Sequence, residues 1–225
     1  MSISTFLAIS NIATSLCLVT TIIVIIGYRK LTTASIIVGA ICLCSVLTFL
    51  CFKIIELKGK QVNIPQNLYR IFYALLVQFV FWKSFSRLSK KIIFIAAIIF
   101  LIFASFNFLF IQKIDNNTFT SSVSAFIITI CCVYFYYRLL VDLPVQKLQY
   151  MPMFWYSAAF LIYNAGTLFL YLMTPYLVEV LNNDFILYWS FHNILNIIQH
   201  IIIIIGLGLD FRNVKRTSTS SSASD

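Results

Sequence analysis

Residues 185–208 read FILYWSFHNILNIIQHIIIIIGLG. The run contains no Lys, Arg, Asp or Glu, and a helix rising about 1.5 Å per residue needs about 20 residues to cross a hydrocarbon layer about 30 Å thick. It therefore reads as a membrane span. Its middle nonetheless carries His192, Asn193, Asn196, Gln199 and His200, and polar groups of that kind are costly in hydrocarbon unless they find partners.

The rest of the chain has the same character. Of 225 residues, 61% are hydrophobic and 10% charged, whereas soluble domains are roughly 25% charged. Seven runs have spanning length: 5–27, 33–53, 67–86, 92–111, 119–140, 154–177 and 185–208. They are continuous, while strands of a membrane barrel would alternate polar and apolar over about ten residues. The expected fold is an all-α polytopic membrane protein, a seven-transmembrane helix bundle over residues 1–211, with a short tail at 212–225. The first run has no Lys or Arg before Phe6 and no A-x-A site after it, so it is expected to remain as a span.

The net charge of +9 follows the spans. Counted on alternate sides, Arg29, Lys30, Lys83, Arg87, Lys90, Lys91, Arg138, Lys147, Arg212, Lys215 and Arg216 share one face. Lys53, Lys58, Lys60, Arg70 and Lys113 share the other. The positive-inside rule then sets the N-terminus outside and the C-terminus in the cytoplasm. KSFSRLSKK and FRNVKR suit anionic headgroups of the lipid bilayer, and no basic block interleaved with aromatics points to nucleic acid. Tyr134, Tyr136, Tyr137 and Trp82 fit an inner aromatic belt. The six cysteines lie in or beside spans, where they pack as small apolar residues.

Connections 54–66 and 141–153 have 13 residues each, too short for a separate folded domain, so function is expected inside the bundle. The Ser-rich tail RTSTSSSASD is expected to be disordered. All seven carboxylates fall in loops, at helix ends or in the tail, which argues against a proton-coupled pump with a mid-membrane acidic relay. A retinal protein would need a lysine in the last span, and 185–208 has none. His192 and His200 are the only histidines and stand about 12 Å apart on one helix; they form no HExxH. No set of residues fills the roles of a hydrolase, so neither an enzyme nor a metal or other cofactor is expected.

At 100° per residue, His192, Asn196, Gln199 and His200 occupy about a third of the helix circumference, flanked by Trp189 and Asn193. That stripe must face protein or a wet cavity. Tyr163, Asn164 and Thr167 of the sixth span and Gln78 of the third are the expected partners at similar depth. Two readings compete: interhelical glue, at about 0.6 kcal/mol per hydrogen bond, or the lining of a ligand pocket that shifts the bundle between two packings.

The seven spans, minimal loops, the last helix WSFHNILNIIQH and its exit through GLGLDFR resemble the seven-helix input region of bacterial sensor histidine kinases, over residues 5–212. The resemblance implies a sensory module in a bacterial inner membrane that binds a small molecule. It implies in addition a signalling partner such as a histidine kinase, since this chain carries no kinase of its own. A small-molecule transporter with seven helices arranged as three, one and three is the alternative, and a structural subunit of a membrane complex is the third.

Overall fold

The computed structural model describes residues 3–58, 63–85, 87–111, 118–142, 148–180 and 185–221. These residues are helical apart from short turns: α1 (Ile3–Gly27), α2 (Thr33–Leu57), α3 (Asn63–Ser84), α4 (Arg87–Phe106), α5 (Thr118–Asp142), α6 (Pro152–Val180) and α7 (Phe185–Ser221). Helices are what a lipid-exposed chain can form, because every backbone N–H and C=O is satisfied within its own segment. Pro152 opens α6 where its missing N–H costs nothing, and α4 ends in a π turn, Asn107–Ile111.

Among the described residues six helices are long and apolar enough to cross a bilayer: all but α3. This is the signature of a multi-pass membrane protein. α3 has 22 residues, which suffices in length, but Gln66, Asn67, Arg70, Gln78 and Lys83 dilute its apolar content. It compensates by burial, since Ala74, Val77, Val80 and Phe81 are all fully enclosed by other helices.

Six helices form a closed ring. α1 packs on α2 and α7, α2 on α3, α3 on α5, α5 on α6 and α6 on α7. α4 lies outside the ring against α3 and α5. Its sequence explains the position: Ile93, Phe100, Ala104 and Asn107 make one buried stripe, while Ile92, Phe94, Ile95, Ile99 and Ile102 are exposed, as expected of a helix with lipid on most of its circumference.

Close approach within the ring depends on small residues. A Cβ on Gly39 of α2 would overlap the branched side chain of Val24 in α1, and one on Gly206 of α7 would stand 2.6 Å from Cε1 of Tyr156 in α6. One half of the ring is filled with aromatic rings. Phe81 lies 6.1 Å from Phe135 and 6.5 Å from Phe160, centre to centre, and Phe85 lies 5.2 Å from Tyr134, so three helices interlock there. The other half is open.

The largest departure from the expected boundaries concerns α7. It does not stop at residue 208 but continues to Ser221, so residues 216–221, the first part of the stretch RTSTSSSASD expected to be disordered, are helical. The sequence becomes less hydrophobic after Gly208, and the apolar stretch of α7 long enough to cross a membrane is Tyr188–Val214. That change leaves the helical hydrogen bonding intact, and Asp210 and Phe211 pack back onto the bundle. Residues 222–225 lie outside the described residues.

Candidate functional site

The open half of the ring encloses a cavity of about 400 Å³, within the size range of small-molecule sites. It lies toward the end where α1, α3, α5 and α7 begin and α2 and α6 finish. α1 contributes Thr14 and Cys17, α2 Ser45 and Phe49, α3 Tyr69, Arg70 and Tyr73, and α5 Ser121 and Ser124. α6 adds Tyr163, Asn164, Thr167 and Tyr171, and α7 adds Trp189, His192, Asn193 and Asn196. The peripheral α4 contributes nothing.

The polar stripe of α7 divides into two groups with different environments. Toward the opening, the His192 ring stands edge-on to Tyr163 and Trp189, with centres 5.6 and 5.5 Å away. Its Nε2 is 3.4 Å from the Tyr163 hydroxyl, long for a hydrogen bond. Asn193 and Asn196 line the cavity and make no hydrogen bond to any described residue.

Deeper in the bundle the polar groups are paired. The Tyr73 hydroxyl accepts from Asn164 Nδ2 at 3.1 Å and from Gln199 Nε2 at 3.3 Å, which joins α3, α6 and α7 at one oxygen. His200 Nδ1 lies 3.4 Å from Thr20 Oγ1 of α1. Beside this cluster is a gap of about 20 Å³ lined by Tyr73, Asn196, Gln199 and His200, room for about one water.

The remaining expected residues behave differently. Thr167 turns back on its own helix and donates to the Tyr163 carbonyl at 2.8 Å, although it borders the cavity. Gln78 is 1% exposed but does not join the stripe: neither of its amide atoms has a hydrogen-bond partner among the described residues. Tyr73, five residues earlier on α3, takes the place expected for Gln78.

Arg70 was expected to act as a charge on the outer face, and its position in the site is new. Among the described residues it is the only charged side chain lining the cavity. Its Nη1 donates to Ser121 Oγ at 2.5 Å, and its guanidinium carbon lies 4.7 Å from the centre of the Tyr171 ring. Among the described residues no carboxylate pairs with it. The available signal was its place inside the third apolar run, three residues before Tyr73 and so on nearly the same face.

Chemically, the lining offers hydroxyls, amides, one fixed positive charge and aromatic faces. These groups can orient and hold a ligand. Among the described residues no group of three or more His, Cys, Asp or Glu could hold a metal ion. No family model, no curated protein and no solved structure matches the chain.

Proposed function

We propose that this protein is a seven-span membrane receptor that binds a small molecule in the cavity and transmits the event through α7 to a signalling partner at the inner face. In this reading α3 is the seventh span, the N-terminus is outside, and the cavity opens outward. The observation that carries it is the course of α7. Its first turns present Trp189, His192, Asn193 and Asn196 to the cavity, and the same helix runs unbroken to Ser221. Occupancy that tilts or rotates the upper part must displace the lower part, because one helix joins them.

Neutral polar groups without a hydrogen-bond partner among the described residues support a ligand role for Asn193 and Asn196, whereas Asn164 and Gln199 share the Tyr73 hydroxyl as interhelical glue. The test is a ligand screen on the purified full chain by thermal unfolding, followed by distance measurement between spin labels on Asn213 and Ala34. A receptor responds with a ligand-dependent distance change that Asn196→Ala abolishes. An unchanged distance at saturating ligand overturns signalling through α7.

A carrier is the second reading, favoured by the packing pattern. Exchanging α1 with α5, α2 with α6 and α3 with α7 maps every contact of the ring onto another: α1 with α2 onto α5 with α6, α2 with α3 onto α6 with α7, and α1 with α7 onto α5 with α3. α4 then serves as the linker between two parallel three-helix halves. Accumulation of the screened ligand inside proteoliposomes selects the carrier; its failure to cross, with movement of α7, selects the receptor.

A further inference from the structure

We infer that the cavity takes a small organic monoanion, a carboxylate bound by the guanidinium of Arg70. This rests on the reading of the cavity as a ligand site and adds its chemical class.

A guanidinium has five N–H donors, and Arg70 directs one hydrogen bond to Ser121, with Tyr171 beside its flat face. The other donors have no described partner. A charge inside a helix bundle is costly without a counter-charge, and no Asp or Glu is among the described residues that line the cavity. The planar fork of Arg matches the two oxygens of a carboxylate.

Charge balance decides between anions. One cation neutralises one negative charge, whereas a phosphate dianion would leave a net charge enclosed by aromatic and hydroxyl groups. The rest of the lining suits an organic body: Phe49, Tyr163 and Trp189 offer apolar faces, and Asn193 and Asn196 offer amides that bond to no described residue. A cavity of about 400 Å³ accommodates a compact acid of this kind. Such a carboxylate could come from the aqueous phase or from a fatty acid in the membrane.

The experiment uses the full chain in phosphatidylcholine nanodiscs and reads the thermal midpoint. Butyrate, octanoate and benzoate are each compared with the corresponding primary amide, and with chloride and inorganic phosphate at equal ionic strength. At least one acid is expected to raise the midpoint by about 2 °C or more, with no rise from its amide. Arg70→Met should lose the response, and Arg70→Lys, which keeps the charge without the fork, should retain part of it.

A response to octanoate alone identifies a membrane-derived acid, and one to butyrate or benzoate a soluble acid; both support the assignment. Equal responses to acid and amide, a response reproduced by phosphate or chloride, or a full response in Arg70→Met overturns it. If Arg70→Met does not fold, the comparison of acid with amide in the unaltered chain decides. Amide binding that disappears in Asn196→Ala would refute the anion while leaving the ligand site standing. The absence of a shift with any acid and any amide would remove both.

Discussion

Asp210 of α7 caps α2 through Thr32: its Oδ2 accepts the Thr32 backbone N–H at 2.8 Å and the Thr32 hydroxyl at 2.9 Å. The same oxygen accepts from Ser35 Oγ at 2.5 Å, and Ser35 lies 2.7 Å from the Tyr156 hydroxyl of α6. A carboxylate at a helix N-terminus satisfies free N–H donors and suits the helix dipole. Here the cap comes from another helix, so it also joins α2, α6 and α7 at the end opposite the cavity.

Replacing Asp210 by Ala should therefore cost about 1.5–3 kcal/mol, the range for hydrogen bonds to a charged group. Asp210→Asn keeps one acceptor oxygen and should lose about half as much. The measurement is the thermal midpoint of the purified protein in detergent. Equal stability of Asp210→Ala and the unaltered chain would show that the cap contributes nothing.

Tyr73 and Asn196 both border the cavity but should respond in opposite ways. Tyr73→Phe removes the oxygen shared by Asn164 and Gln199, and at about 0.6 kcal/mol per intramembrane hydrogen bond the loss should be roughly 1 kcal/mol. Asn196→Ala breaks no described hydrogen bond and should stay within about 0.5 kcal/mol of the unaltered chain, while abolishing ligand stabilisation. Unfolding with and without ligand separates the two effects. A large stability loss in Asn196→Ala would return that residue to the interhelical glue.

The helical, membrane-spanning character was legible because it follows from composition and length alone. The cavity was only half legible. Periodicity places the polar stripe of α7 on one face, but it cannot show that Gln199 finds Tyr73 while Asn196 finds no partner among the described residues. Arg70 was obscured because counting charges by side treats an arginine near the end of a span as a surface signal, whereas here it lines the cavity. The end of α7 was misplaced for a related reason: hydropathy measures the depth of the apolar layer, and the helix outlasts it.

Gly206 and Gly208 are two residues apart on α7 and should also diverge. A Cβ at Gly206 would be 2.6 and 2.9 Å from Cε1 and Cδ1 of Tyr156, a fully enclosed ring held at its hydroxyl by Ser35. Gly206→Ala must force α6 and α7 apart, at a cost of about 1–3 kcal/mol. Nothing lies within 4 Å of a Cβ at Gly208, and Gly208→Ala should gain up to about 1 kcal/mol of helix propensity. Thermal unfolding of the two variants side by side checks this, and destabilisation by both would mean that α7 packs differently.

The number of crossings has a parity that can be measured. If only the six strongly apolar helices cross, both ends of the chain lie on one side of the membrane; if α3 crosses as well, they lie on opposite sides. Its 22 residues span about 33 Å as a helix, enough for a hydrocarbon core of about 30 Å. The neighbouring helices also favour crossing. α3 packs along both α2 and α5, and its enclosed residues run from Asn67 through Ala74 and Val77 to Val80 and Phe81. Its polar side chains are thereby kept from lipid: Arg70 by the cavity, and Gln78 by burial. The expected result is that a tag before α1 is reached by a membrane-impermeant label in intact cells, while a tag after α7 is reached only once the membrane is opened. Labelling of both tags in intact cells would leave α3 on one side and put Arg70 outside any membrane-enclosed site.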